Sequence, residues 1–296
     1  MTAGTFRERL AELTEIRATR PAAIRDAAGR RVRRARLLGP SGRLVIIAAD
    51  HPARGALAAG ADPFAMADRF DLLERLCLAL ARPGVDGVLG APDLIEDLLL
   101  LGALDGLVAL GSMNRGGLAG SDFEIDDRFT AYDAAAIAAN GLDGGKLLLR
   151  VDAADPATAR ALEACARAVT DLAAHRLMTL VEPFLSHRAD DGRIRNVLTP
   201  DAMIRAIAIA AGLGTTSAYT WLKVPVVPDM PRVMAASTLP ALLLGGEVPA
   251  DRDAALAGWR AALELPTVRG LVAGRSLLYP RGDDVEAAVD AAVEVV

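Results

Sequence analysis

Of the 33 basic residues in this chain only Lys146 and Lys223 are lysine. Both fall in runs that read as buried strands, Gly144-Gly-Lys-Leu-Leu-Leu-Arg150 and Tyr219-Thr-Trp-Leu-Lys-Val-Pro225. Arginine supplies every other basic position. Lysine can do one thing that arginine cannot: lose its proton near neutral pH and attack a carbonyl carbon as a free amine. An arginine-rich composition is often a codon bias, but a lysine in an apolar strand is costly unless it is paired or neutral. Two of them in one chain point to Schiff-base chemistry.

Such residues need elements that hold them. Short apolar runs occur at residues 44–49, 85–89, 106–110, 146–151, 177–182, 219–224, 241–244 and 270–273, and they read as strands. Helical periodicity fills the stretches between them, as at 66–81, 156–175, 200–211 and 251–263. Thr199-Pro200 and Asp155-Pro156 each put a capping side chain before a proline at a helix start. Eight strands alternating with helices predict one (β/α)8 barrel domain over residues 1–296, with residues 1–40 as an N-terminal helical extension. The alternative, an open doubly wound sheet, lacks the glycine-rich phosphate loop that usually accompanies it. The irregular stretch 112–130 is long enough to be a lid, a binding loop or an oligomer contact.

In a barrel, chemistry gathers where strands end. Those ends carry Asp50, His51 and Arg54 on the first strand, Lys146 and Arg150 on the fourth and Glu182 on the fifth. They carry Lys223 on the sixth, Gly245 and Gly246 on the seventh, and Gly274 and Arg275 on the eighth. Lys223 is the candidate nucleophile, with Lys146 as the cation that lowers its pKa; the bland alternative for each is a lysine snorkelling outward at the rim. Glu182, at the end of an apolar strand, is expected to have a carboxyl pKa raised by burial. Asp50 completes the acid–base pair unless it merely caps a turn or pairs with Arg54. Arg54, Gly245, Gly246, Gly274 and Arg275 fit a phosphate site, the glycines letting backbone approach the oxygens. His51, His175 and His187 lack metal-ligand spacing, so neither metal nor cofactor is expected.

Composition narrows the partners. A formal charge of −5 and 4% aromatic residues argue against nucleic acid. The basic run Arg30-Arg-Val-Arg-Arg-Ala-Arg36 reads as a solvated helix face. Cys77 and Cys165 look like small core residues rather than a disulfide framework. The first 20 residues carry Leu10, Leu13 and Ile16 at helical spacing instead of a leader's apolar stretch, and no run reaches membrane-spanning length. A cytoplasmic protein with a small-molecule substrate is expected, with homo-oligomer contacts through the 112–130 loop or the N-terminal helices.

Several runs resemble the class I, Schiff-base aldolases, in particular the branch of tagatose-1,6-bisphosphate aldolase and deoxyribose-phosphate aldolase. They are Asp50-His-Pro-Ala-Arg54-Gly-Ala-Leu57, Lys146-Leu-Leu-Leu-Arg-Val-Asp152, Leu180-Val-Glu182-Pro, Leu222-Lys223-Val-Pro225 and Leu271-Val-Ala-Gly274-Arg275. The resemblance implies a barrel in which Lys223 forms the imine, Glu182 is catalytic and Gly274 and Arg275 hold phosphate. The sequence departs from the branch after the third strand, where Ser112-Met-Asn-Arg115 replaces an acidic residue, and at Gly245-Gly246, where a serine is common. Proteins of this appearance also occur among inositol-degradation proteins of high-GC bacteria. That likeness implies cleavage of 2-deoxy-5-keto-gluconate 6-phosphate to dihydroxyacetone phosphate and malonate semialdehyde. A sugar-phosphate isomerase or epimerase on the same barrel, or a non-catalytic sugar-phosphate-binding barrel, is the alternative.

Overall fold

The computed structural model describes residues 3–114 and 118–296. Nine strands form the sheet: β1 (Leu44–Ala49), β2 (Gly87–Gly90), β3 (Val108–Ser112), β4 (Gly144–Val151), β5 (Met178–Arg188), β6 (Ile194–Asn196), β7 (Thr220–Val224), β8 (Ala241–Leu244) and β9 (Val268–Ala273). The pairing order is β4-β3-β2-β1-β9-β8-β7-β5, and β4 also pairs with β5. Eight parallel strands therefore close on themselves as a (β/α)8 barrel, and the open-sheet alternative falls. The helices α1 (Ala3–Thr19) and α2 (Ala22–Arg30) precede the barrel. Around it lie α3 (Arg69–Leu80), α4 (Pro92–Leu100), α5 (Ala134–Ala139), α6 (Ala157–Ala174), α7 (Pro200–Ala211), α8 (Met230–Met234), α9 (Arg252–Leu263), α10 (Arg275–Leu278) and α11 (Val285–Val293). None is long and apolar enough to cross a membrane.

Side-chain alternation sorts each strand between two cores. Leu44, Ile46, Ala48, Leu110, Leu180, Leu242 and Val272 fill the lumen, while Val45, Ile47, Val181, Leu222 and Leu243 pack against the helices. The helix starts are well capped. Thr199 accepts from the N–H of Ala202, and Asp155 accepts from that of Ala157. Cys77 and Cys165 are free thiols within α3 and α6, Cys165 buried and Cys77 partly so.

Three expectations need correction. The third strand starts at Val108 rather than Gly106, because Gly106 sits in a turn at φ +72°. The fifth strand does not end at Glu182. It runs through Pro183 to Arg188 and folds back antiparallel on β6. Pro183 is tolerated because pairing with β7 has stopped at Val181, so its missing N–H deprives no neighbour on that side.

The third correction concerns the basic run 30–36, which is no solvated helix face. The helix stops at Arg30, and Arg31 is buried. Its guanidinium donates to the carbonyls of Leu104, Leu107 and Gly141 and pairs with Asp143 at 2.7 Å. Arg34 pairs with Asp86 at 2.6 Å. These two aspartates also accept the N–H groups of Ala109 and Val45, so the run seals the N-terminal end of the barrel to the starts of its strands. Breaking a buried pair strands its partner. Arg31→Ala should therefore cost about 3 kcal/mol, toward the low end because Arg33 still reaches Asp143. Urea unfolding checks this.

Candidate active site

At the opposite end of the barrel the lumen changes character. One period-two step above Ala48 comes Asp50, and in the equivalent layer β4 supplies Lys146, β5 Glu182 and β7 Lys223. Each falls on the inward side of its strand, where apolar residues fill the layers below. The four side chains form a continuous chain: Lys146 Nζ lies 3.0 Å from Asp50 Oδ2 and 2.7 Å from Glu182 Oε2, and Lys223 Nζ lies 3.2 Å from Glu182 Oε1. Both lysines are only 4% exposed. Neither snorkels to the rim, and Asp50 is not paired with Arg54.

The charges do not divide evenly. Burial pulls the pKa of Lys146 down, but Asp50 and Glu182 on either side more than compensate, and the net shift is upward. Lys223 has one carboxylate contact and a cationic neighbour, so burial prevails and its pKa falls. One lysine is thus a fixed cation and the other an amine that deprotonates readily. Burial pushes the Glu182 carboxyl up, yet the two lysines outweigh it and hold it at about 2, so the expected rise for this residue is overturned. Asp50 is likewise driven below its ordinary range, against burial, by Lys146, Lys223 and His51.

These groups line a cavity of about 450 Å³ whose wall also includes Arg54, Arg150, Gly245, Gly246, Gly274 and Arg275. Every residue given a catalytic or phosphate-holding role from the sequence therefore reaches one cavity. The glycines act differently from one another. Gly245 has already given its N–H to the carbonyl of Val272, so it is no free donor; its role is space, since a Cβ there would lie 2.7 Å from that of Ala273. At Gly274 a Cβ would come within 2.1 Å of the Ala48 carbonyl oxygen. Gly274→Ala must displace the turn that carries Arg275, and binding of inorganic phosphate, measured calorimetrically, should weaken about tenfold or more. Among the described residues Arg275 is held only by the exposed Glu247 at 3.6 Å, and neither its buried Nε nor the nearby Ser276 Oγ has a partner. The run Gly274-Arg-Ser276 was the available signal for that serine.

Sequence reasoning missed two further features. The β5–β6 hairpin rises beside the cavity and contributes Phe184, Asn196 and Leu198 to its wall, with Ser186 bonded to Asn196 at 2.9 Å. Arg150 is paired with a buried Glu124 at 2.5 Å, which pins the loop after β3 against the mouth. Asn114 from the same loop bonds both backbone groups of Leu148. Arg115, Gly116 and Gly117 of that loop lie outside the described residues. His51, placed at a strand end from the sequence, lines the cavity, whereas His175 ends α6 and His187 is exposed on the hairpin.

The fold is that of solved (β/α)8 barrels. At 18% identity and a TM-score of 0.65 it resembles a Schiff base forming fructose-1,6-bisphosphate aldolase over 92% of this chain and 99% of that one. It resembles an archaeal fructose 1,6-bisphosphate aldolase at 19% identity and the same TM-score, over 92% and 98%. A family model described as Cgl0159-like matches residues 42–293, and the chain belongs to that family. Cgl0159 from Corynebacterium glutamicum (Brevibacterium flavum) is 52% identical, with a TM-score of 0.95, over 98% of this chain and 97% of that protein. No curated protein sequence matches the chain.

Proposed function

We propose that this protein is a class I aldolase that cleaves or forms a C–C bond in a phosphorylated keto sugar or keto sugar acid through an imine on Lys223. The observation that carries this reading is the pair of buried lysines that share Glu182 while their pKa values move in opposite directions. A neutral Lys223 amine adds to the substrate carbonyl, and loss of water from the carbinolamine gives an iminium that withdraws electrons from the neighbouring C–C bond. Glu182, 3.2 Å from the amine, carries protons to and from the departing water. Asp50, held ionised, accepts a hydrogen bond from the substrate hydroxyl whose collapse breaks the bond. Lys146 keeps Lys223 deprotonated and orients the substrate. Arg54 and Arg275 hold phosphate, with Gly246 and Gly274 giving it room. The similarity to Schiff-base-forming barrels supports the same chemistry. The likeness to inositol-degradation proteins of high-GC bacteria suggests 2-deoxy-5-keto-gluconate 6-phosphate as the particular substrate.

Borohydride added in the presence of dihydroxyacetone phosphate tests the reading. Peptide mass spectrometry should find the reduced adduct on Lys223, unchanged by chelator. A folded protein that gives no adduct with several carbonyl compounds would be a binding barrel or an isomerase instead.

A further inference from the structure

Cleavage through an imine needs a group that takes the hydroxyl proton as the C–C bond breaks and delivers a proton to the carbon left behind. The four charged residues supply such a group poorly. Asp50 is bonded to Lys146 and held ionised, Glu182 serves the carbinolamine water beside Lys223, and Lys146 is a committed cation. His51 lines the same cavity and belongs to none of their contacts closer than 3.9 Å. Its backbone is fixed at the start of a single 3-10 turn, Pro52–Arg54, where its carbonyl accepts from the N–H of Arg54 and of Ala56. The Nδ1 atom is shut away without a hydrogen-bond partner and faces Asp50 Oδ1 at 3.9 Å. Nε2 is not among the buried unpartnered atoms, makes no hydrogen bond to a described residue, and is the ring nitrogen a substrate can reach.

We propose that His51 is a further catalytic residue: with phosphate seated at Arg275, its Nε2 takes the proton of the substrate hydroxyl and afterwards returns it to carbon. The step rests on the Schiff-base reading above. The O–H electrons become the carbonyl bond of the departing aldehyde. The electrons of the broken C–C bond form the enamine and neutralise the iminium nitrogen. The imidazolium then gives its proton to the enamine carbon, regenerating an iminium that water hydrolyses to the second product and the Lys223 amine. Asp50, opposite Nδ1, steadies the imidazolium in between.

The charges around the ring explain why it waits for substrate. Arg54 from the 3-10 turn, Lys223 from β7 and Arg275 from α10 face it, with Asp50 from β1 as the opposing anion and Glu247 beyond Arg275. Burial first, then Arg275, Arg54 and Lys223 in its protonated form against Asp50, hold the imidazole at about 3 and so neutral. A phosphate dianion beside Arg275 and Arg54 cancels much of that positive field, and the imidazole becomes a better base only in the loaded site.

Two measurements test this. The chain has three histidines, so nitrogen-15 spectra of the imidazoles resolve each one. His51 should stay neutral from pH 8 to pH 5 in the free protein and begin to protonate within that window when inorganic phosphate is added. An unshifted His51 with phosphate bound overturns the proposal. In parallel, His51→Asn should still yield the borohydride-trapped Lys223 adduct with dihydroxyacetone phosphate, which also certifies its fold. Its aldol addition to acceptor aldehydes should slow by roughly 10²–10⁴-fold. Full aldol activity in that variant sinks the role of His51 and leaves the imine reading standing. Absence of the adduct in the unaltered protein sinks the imine reading itself, and this proposal with it.

Discussion

Lys223→Arg yields a folded barrel that no longer turns over. The guanidinium keeps a positive charge beside Glu182 but never presents a free lone pair. Loss of the nucleophile should therefore cost roughly 10⁴-fold or more in turnover, with no trapped adduct, while far- and near-ultraviolet circular dichroism stay those of the parent. The result is informative because the substitution conserves what the packing sees and removes only what the chemistry uses. Residual turnover within about tenfold of the parent would mean that the amine is a structural cation and the reaction proceeds another way.

Lys146→Met and Glu182→Gln should move the acid limb of imine formation in opposite directions. Lys146 and Lys223 share Glu182 as a neighbour, and removing the Lys146 charge leaves Lys223 facing two carboxylates alone. Its pKa should then climb by roughly one to three units. Trapping with dihydroxyacetone phosphate at pH 7 should slow by the matching 10- to 1000-fold and recover as the pH rises. Glu182→Gln removes the carboxylate that favours the charged amine, so the limb shifts to lower pH. The plateau rate nevertheless falls, by roughly 10²–10⁴-fold, because the proton carrier for carbinolamine dehydration is gone. Equal losses at every pH in both variants would show that the lysine pair does not tune itself in this way.

The strands and the charged residues at their ends were legible because both signals are local. A lysine such as Lys223 inside Leu-Lys-Val-Pro stands out against its apolar neighbours, and period-two alternation says which side of the strand it takes. Sequence could not give the sign of the Glu182 shift. Burial alone raises a carboxyl, and only the three-dimensional meeting of β4, β5 and β7 brings two lysines onto it. The same limit hid the role of Arg31, whose partners lie from 73 to 112 residues away along the chain. The hairpin after Glu182 was obscured by Pro183, a residue that usually ends a strand and here only leaves the barrel.

The seal at the base of the barrel also bears on synthesis. Arg31 is translated 112 residues before Asp143, an interval of roughly 6–22 s at 5–20 residues per second. Throughout that time Arg31 has emerged without its aspartate, and five of the barrel's eight strands are still unmade when Asp143 appears. The arginine run therefore works as a two-stage latch, in which Arg34 can meet Asp86 as β2 appears and Arg31 can meet Asp143 only as β4 does.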